Sequence, residues 1–235
     1  MKRAMLVLVF VAAAAGPAVS AGAQVSVGYP PQKSPYRDLE YHSELTVFGG
    51  YFRGANDPAG VAPRGGPIGG IRYEISVGGP AQLVVRAARA FSERNVIDPT
   101  MPSATRNLGS SPWPVYLADL GLSVNLTGQR SFHGIVPVTY AGVGIATDGG
   151  KKATADPYSL GTTFALSFAG GLRFVPGGRF QVRADAGTYM YQIKYPAAYY
   201  INAADNTAVL AAKQTKNFWK RNGVYTLGLS YLLFR

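Results

Sequence analysis

The sequence predicts an all-β protein, a single eight-stranded antiparallel transmembrane β-barrel that runs as a meander. Three observations predict this fold. Eight segments alternate apolar with small or polar residues, at the two-residue period of a strand with one face in lipid. Short turns and long polar loops alternate between these segments. The last segment, 224–234, is an apolar strand, which suits a closing strand whose two edges are both hydrogen-bonded.

The first residues predict export. A positively charged start, Met1-Lys2-Arg3, is followed by an apolar stretch of eleven residues, Met5–Ala15, and by the small residues Ala21-Gly22-Ala23. This order is typical of a secretory signal peptide, and the apolar stretch is too short to span a membrane as a helix. We expect cleavage after Ala23, with cleavage after Ala21 as the alternative.

The chain is therefore divided into a signal peptide (1–23), a proline-containing periplasmic N-terminal segment (24–43) and the barrel (44–235). The sequence contains no cysteine, which argues against a lipoprotein anchor, a disulfide scaffold and a thiolate metal site. The net charge is +11, and removal of Lys2 and Arg3 leaves +9. Because the protein is predicted to be exported, we expect anionic lipid head groups rather than nucleic acid as its partners.

Each predicted strand has about the 9–11 residues that a tilted strand needs to cross the hydrocarbon. The strands span 44–53, 68–77, 82–91, 116–127, 135–146, 162–175, 179–192 and 224–234. In chain order their apolar rows are Leu45-Val47-Tyr51, Ile71-Tyr73-Ile75-Val77, Leu83-Val85-Ala87, Ala118-Leu120-Leu122-Val124-Leu126, a fifth row without clear sidedness, Phe164-Leu166-Phe168-Leu172-Phe174, Phe180-Val182-Ala184-Ala186-Met190 and Tyr225-Leu227-Leu229-Tyr231-Leu233. The ambiguous fifth strand leaves ten strands as an alternative.

The connections predict which end faces outward. Short turns at 78–80, 128–134 and 176–178 alternate with long polar loops. The long loops span 54–67, 92–115, 147–161 and 193–223. Outer-membrane barrels have short periplasmic turns and long extracellular loops. In the fourth loop, alanine-rich residues 203–213 predict a short helix at the barrel mouth.

On this pattern, residues 44–235 resemble the small eight-stranded outer-membrane barrels of the OmpA transmembrane and OmpX type. Members of this class usually end in Phe after alternating apolar residues, a signal that the barrel-assembly machinery reads. Here Leu229, Tyr231 and Leu233 keep the alternation, whereas Phe234 stands one residue early and Arg235 holds the last place. The resemblance implies the outer membrane of a Gram-negative-type bacterium and the barrel-assembly machinery as a partner.

The polar rows predict a network of charges in the lumen. An isolated buried charge costs several kcal/mol, so these residues should pair across the barrel. The network consists of Glu44, Arg72, Glu74, Arg86, Asp119, Arg173, Arg183 and Asp185. We interpret it as a plug of ion pairs, since eight strands enclose too little space for a water channel. The alternative is a narrow channel lined by the four arginines.

Two histidines could indicate catalysis, since some eight-stranded barrels are lipid A-modifying enzymes that use His and Ser. His42 and His133 both lie toward the predicted periplasmic end, away from the outer leaflet on which such enzymes act. Adjacent residues of one strand, such as His42, Ser43 and Glu44, also point to opposite faces. We therefore predict no catalytic, cofactor-binding or metal site. An outer-leaflet lipid A-modifying enzyme remains the alternative.

The long loops carry more cations than acids, an excess of five charges. Cations beside interfacial aromatic residues are placed to meet lipopolysaccharide phosphates, although plain anchoring at the interface is an equally open interpretation. The candidate lipopolysaccharide contact comprises Lys213, Lys216, Trp219, Lys220 and Arg221. A predicted outer aromatic girdle comprises Trp113, Tyr116, Tyr158, Tyr195, Tyr199 and Tyr200.

The function class that we predict is a non-enzymatic outer-membrane protein that contributes to envelope integrity or to surface interaction through its loops. Its expected partners are outer-membrane lipids and lipopolysaccharide, and we expect a monomer. Besides the enzyme and the channel, a soluble lipocalin-like barrel is a third alternative. The small residues of the polar face argue against it, because they suit a narrow interior.

Overall fold

The computed structural model describes residues 34–39, 42–150, 153 and 155–234. The predicted signal peptide, most of the predicted periplasmic segment and Arg235 lie outside the described residues. Across the described ranges, no helix has the length and apolar character needed to cross a membrane.

The regular secondary structure of the described residues consists of strands and one short 3₁₀ helix at Ala197–Tyr200. The strands in chain order are β1 (Tyr36–Asp38), β2 (Ser43–Arg53), β3 (Gly66–Gly78), β4 (Ala81–Ala90), β5 (Glu93–Ile97), β6 (Asn107–Pro112), β7 (Val115–Asn125), β8 (Arg130–Phe132), β9 (Ile135–Thr147), β10 (Thr162–Phe174), β11 (Phe180–Lys194) and β12 (Asn217–Phe234). The eight long strands form the barrel, and the four short strands lie at its two ends.

The barrel is a closed ring in the order β2-β3-β4-β7-β9-β10-β11-β12. All neighbours are antiparallel, and the last strand returns to the first, with Tyr225 opposite Tyr51 and Leu229 opposite Val47. Closure satisfies the backbone groups of both edge strands, which a strand in lipid requires. The predicted eight-stranded antiparallel barrel is confirmed.

The barrel is apolar outside and polar inside. Leu120, Phe168 and Leu229 are 48%, 46% and 54% exposed, whereas the adjacent Asp119 and Ser167 are 5% and 1% exposed. Such exposure of large apolar side chains is unfavourable in water and favourable against acyl chains. The ring therefore presents an outer apolar band of the kind that a membrane-spanning barrel needs.

The ambiguous fifth strand, β9, obeys the same rule. Val136, Val138 and Tyr140 are buried inside, and Val143 and Ile145 face outward. The sequence does not show which row of this strand faces inward, because the inward row is also apolar. The aromatic ring of Tyr140 carries a hydroxyl that reaches a lumen carboxylate, so a residue that counts as apolar serves the polar interior.

The strands extend further at the loop end than the sequence predicts. β12 begins at Asn217 rather than at 224, and β11 continues to Lys194, with Lys194 opposite Asn217. Apolar and polar residues are mixed in this upper part of the hairpin, so no apolar alternation marks it. The backbone ladder forms regardless of side-chain polarity, because its hydrogen bonds come from the main chain.

Smaller elements add to both ends. At the short-turn end, β1 pairs with β8, with Tyr36 opposite Phe132. At the long-loop end, β5 and β6 form a hairpin within the second loop. The helix predicted at 203–213 is wrong, since these residues form turns and Asn206 has a φ of +57° that interrupts a helix. The 3₁₀ helix lies earlier instead, where the buried ring of Tyr199 anchors it.

Candidate functional site

The lumen contains a cluster of ion pairs centred on Glu74. Its carboxylate lies 2.5 Å from Arg173 Nη2 and 3.0 Å from Arg183 Nη1, and it also pairs with Arg72. Glu74 comes from β3 and Arg173 from β10, which lie four strands apart in the ring of eight and so on opposite walls. Side chains therefore meet across the full width of the lumen.

The same arginines bind two further carboxylates. Arg173 Nη2 lies 3.0 Å from Glu44 Oε1, and Arg183 Nε donates to Asp185 Oδ2 at 2.7 Å. Glu44 stands directly opposite Glu74 in the register of β2 and β3. Two neighbouring carboxylates repel each other unless cations lie between them, and the shared arginines supply those cations.

A second pair lies on neighbouring strands. Arg86 Nε lies 3.2 Å from both oxygens of Asp119. The hydroxyls of Tyr140 and Tyr189 donate to the same carboxylate. The Arg86 guanidinium also lies over these two rings, 4.7 and 4.8 Å from their centroids. Asp119 is thus surrounded by donors, and the arginine is enclosed by aromatic faces.

All eight predicted lumen residues thus lie in the barrel interior and make ion pairs there. Four arginines stand against four carboxylates, so the network carries no formal net charge. Small residues make room for it. A Cβ at Gly171 would collide with the Asp185 carboxylate, and one at Gly142 with the Tyr140 hydroxyl.

The long-loop end of the barrel is closed by a folded loop cap. We define the loop cap as the described residues of the loops at 54–65, 91–114, 148–161 and 195–216 with the inward side chains beneath them. These loops share an apolar core with the strand ends rather than projecting separately into solvent. The core includes Phe52, Val61, Ala62, Ile97, Tyr158, Tyr191, Ile193, Tyr195, Tyr199 and Leu210.

A buried ion pair joins three of these loops. Arg94 Nη1 of the second loop donates to Asp156 Oδ2 of the third at 2.6 Å, and neither side chain is exposed. The Tyr199 hydroxyl of the fourth loop donates to Asp156 Oδ1 at 2.7 Å. The Arg94 guanidinium also stacks 3.9 Å from the centroid of the Trp113 ring. Asp156 is therefore the point at which these loops meet.

Two more carboxylates join loops in the same way. The Tyr195 hydroxyl of the fourth loop donates to Asp57 Oδ2 of the first at 2.7 Å. Trp113 Nε1 of the second loop donates to Asp148 Oδ2 at the start of the third at 3.1 Å. Each of the four loops is thus fixed to another by a buried or half-buried acid.

The tyrosines of the loop cap have perturbed acidities. Burial, together with the hydrogen bond to the Asp156 carboxylate, raises the pKa of Tyr199 above its ordinary value of 10.0. Burial and the hydrogen bond to Asp57 raise the pKa of Tyr195 in the same direction. Both phenols are therefore held protonated in the folded cap.

We predict that the loop cap loosens at alkaline pH. A phenol whose pKa is raised by folding stabilises the cap fully below the unfolded value of about 10 and progressively less as the pH rises above it. In a Trp219→Phe background, the fluorescence of Trp113 should shift to the red above about pH 10. The paired Tyr195→Phe and Tyr199→Phe variant, which lacks these two ionisable hydroxyls, should shift less. Identical titrations of the two proteins would contradict this role.

Four of the five residues of the candidate lipopolysaccharide contact are accessible. Lys213 and Lys216 are exposed on the fourth loop, and Trp219 and Arg221 face outward on β12. Lys220 is wrongly placed by the sequence prediction, because its side chain is 2% exposed and Nζ donates to Pro63 O at 3.2 Å. Because β12 begins at Asn217, Lys220 lies within the strand. Its side chain points inward, whereas those of Trp219 and Arg221 point outward.

The predicted aromatic girdle is also corrected. Trp113, Tyr158, Tyr195 and Tyr199 are buried in the loop cap, and only Tyr116 of the six faces outward at more than a third exposure. Other outward rings lie on the half of the barrel surface that is nearer the long loops. They are Tyr51, Phe91, Phe164, Trp219 and Tyr225.

The described residues hold no group of three or more His, Cys, Asp or Glu side chains placed to bind a metal ion. His133 lies in the short turn between β8 and β9, its ring edge-on to Phe132 at 4.6 Å. His42 immediately precedes β2 at the same end. The structure thus places both histidines at the end opposite the loop cap.

A closed ring of eight strands, apolar outside, charged inside and capped at one end by long loops, defines an integral membrane β-barrel of the outer-membrane type. The fold is similar to that of Neisserial surface protein A, with 12% identity, a TM-score of 0.47, and coverage of 81% of this chain and 97% of that one. It is also similar to the outer-membrane protein OprG from Pseudomonas aeruginosa, with 12% identity, a TM-score of 0.46 and coverage of 82% and 97%.

A third similar structure is that of Ail, the attachment invasion locus protein of Yersinia pestis, in complex with the heparin analogue sucrose octasulfate. The identity is 14%, the TM-score 0.41, and the coverage 82% of this chain and 99% of that one. No protein-family model matches the chain, and no curated protein does. The membership of the outer-membrane barrel class therefore rests on the strand ring and its inverted polarity.

Proposed function

We propose that this protein is a non-enzymatic, non-conducting outer-membrane barrel that reinforces the cell envelope through its extracellular surface. The observation that carries this proposal is the loop cap itself, whose loops are joined to one another by hydrogen bonds to buried or half-buried acids. Long loops that fold into one body with their own core form a rigid surface. Such a surface suits binding better than mobile loops, because less conformational entropy is lost on contact.

The interior supports the non-conducting part of this proposal. The Glu74 cluster spans the lumen from β3 to β10, and above it the cap core fills the mouth with aromatic side chains. An eight-stranded barrel encloses only enough space for its own side chains. An open channel lined by the arginines would require both the Glu74 cluster and the aromatic core of the loop cap to move.

The exposed charges of the cap indicate the partner class. Within the described parts of 53–66, 91–114, 147–161 and 193–223, two of the acids, Asp148 and Asp156, are buried. The exposed acids are Glu93 and Asp205. The exposed cations are Arg53, Arg64, Lys194, Lys213, Lys216 and Arg221. Six exposed cations against two exposed acids leave this surface with a net charge of +4, which suits the phosphates of lipopolysaccharide.

The proposal is tested by the outer-membrane barrier of cells that lack the protein. We expect increased uptake of a hydrophobic dye, restored to the normal level by the wild-type protein. A cap variant with Arg64, Lys213 and Lys216 replaced by Gln should restore less than half of the barrier. A control variant with the same charge change at the opposite end, at Arg37, Arg130 and Arg179, should restore it fully.

Three outcomes would contradict the proposal. One is full restoration by the cap variant, and another is an unchanged barrier in cells without the protein. The third is steady single-channel conductance of the purified barrel in planar bilayers, which would favour the channel. Mass spectrometry of lipid A from cells with and without the protein tests the enzyme alternative, and we expect identical spectra.

A further inference from the structure

We propose that an outward cleft between Arg53 and Arg221 binds the phosphate group of an outer-leaflet lipid. This inference rests on the proposed function and deepens it by naming a site and a ligand class. The cleft has a volume of about 400 Å³ and lies at the upper end of β2, beside the upper halves of β11 and β12. Its size is within the range of about 300–1,000 Å³ that is common for small-molecule sites.

The strand register creates the cleft. Gly223 of β12 stands opposite Arg53 of β2 on one side and opposite Thr188 of β11 on the other. Since Gly223 has no side chain, a gap opens on the outer surface between Arg221 and Tyr225 of the same row. A Cβ built on Gly223 would lie 3.6 Å from Arg53 Cβ and 3.7 Å from Tyr225 Cε2, so a larger residue would fill the gap without a backbone clash.

The two arginines are available to an anion. Within the described part of the chain, neither Arg53 nor Arg221 has a carboxylate within ion-pair distance, whereas every lumen arginine has one. The nearest acid in sequence, Asp57, is engaged elsewhere, since its carboxylate accepts from Val61 N, Ala62 N and the Tyr195 hydroxyl. A guanidinium binds phosphate oxygens through paired, charge-assisted hydrogen bonds.

The height of the cleft favours a lipid over a soluble anion. Tyr51 and Tyr225 face each other just below it, and the apolar row Leu227–Leu229 continues downward into the lipid-facing band. Arg221 lies four residues above Tyr225, which is about 13 Å along the strand and about 10 Å along the axis of a barrel with strands tilted by roughly 40°. A phosphate held there lies at the boundary between acyl chains and water.

Native mass spectrometry of the purified barrel with lipid A tests the proposal, because it counts the lipid molecules that remain bound. We expect one lipid A to be retained by the wild-type protein. The retained fraction should fall at least about fivefold in Arg53→Gln, in Arg221→Gln and in Gly223→Val, which fills the cleft without removing charge. Arg37→Gln, which removes an exposed cation at the opposite end of the barrel, should retain the wild-type fraction.

Two further arms identify the source of the anion. Lipid A without its phosphates should not be retained, and inorganic phosphate in millimolar excess should not displace lipid A. Retention of the dephosphorylated lipid, or displacement by inorganic phosphate, would overturn the lipid-phosphate site. Heat-modifiable mobility in gels verifies that each variant is folded, and if Gly223→Val does not fold, the two arginine variants decide.

The failure of this site is distinguishable from the failure of the proposed function. If both cleft arginine variants retain lipid A as the wild-type protein does, the cleft proposal is wrong. The barrier experiment, which alters Arg64, Lys213 and Lys216 instead, is independent of that result.

Discussion

Replacing Glu74 with Gln is expected to lower the free energy of unfolding by about 3–5 kcal/mol. The substitution keeps the size of the side chain and removes the charge that Arg72, Arg173 and Arg183 share. Three arginines then remain buried with too few carboxylates, and an uncompensated charge in a low-dielectric interior is costly. Urea unfolding of the barrel in lipid vesicles, monitored by its mobility in gels, measures the loss in free energy of unfolding.

Glu93→Gln is the matched control. It makes the same chemical change at an exposed carboxylate of the second loop, and a surface substitution of this kind alters stability by about 0.5 kcal/mol or less. The double variant Arg72→Gln and Glu74→Gln should lose less than the sum of the two single losses, because the partners are removed together. Equal stability of Glu74→Gln and the wild-type protein would show that the lumen network does not stabilise the fold.

Replacing Asp156 with Ala is expected to release the loop cap while the barrel stays folded. The change leaves the Arg94 guanidinium, the Ile97 amide and the Tyr199 hydroxyl without their buried acceptor. The loss of cap stability should be about 3–5 kcal/mol, since a buried charge is left unpaired. Because 1.4 kcal/mol corresponds to a factor of ten, amide exchange in the second, third and fourth loops should accelerate at least about 100-fold.

Asp98→Asn provides the control for this experiment. Asp98 lies in the second loop, and its carboxylate accepts hydrogen bonds from the side chain and backbone of the nearby Thr100. Its replacement should change exchange only around its own turn. If Asp156→Ala leaves all loops protected, the loops are held by apolar packing alone. If the strands of the barrel also exchange, the cap and the barrel form one cooperative unit.

The lumen could be predicted from the sequence because strand periodicity fixes the direction of each side chain. Once Leu120 faces lipid, Asp119 must face inward, and a narrow interior forces it to find a cation. The specific partners could not be predicted, since they depend on which walls face each other. The pairing of Glu74 with Arg173 requires the ring to close first.

The loop cap could not be predicted because loops have no period. Arg94 and Asp156 look like any solvated pair of loop charges, and 62 residues separate them in sequence. The tyrosines that fill the cap, such as Tyr199, look like interfacial anchors in the sequence, because no period shows that their side chains point into the cap. The sequence misplaces Lys220 because Asn217–Gly223 has no apolar alternation, which conceals a strand whose inward row includes this lysine.

The most direct test of the apolar exterior and polar interior is to measure which side chains of a strand face lipid and which face the lumen. Since the sequence has no cysteine, single spin labels can be introduced at Leu120, Phe168 and Leu229, and at the inward positions Ser167 and Ser230. In bilayers, labels at the first three positions should collide readily with oxygen dissolved in the acyl chains, and labels at the two serines should not. Oxygen contact at Ser167 and Ser230, with Leu120 and Leu229 shielded, would contradict the barrel as described.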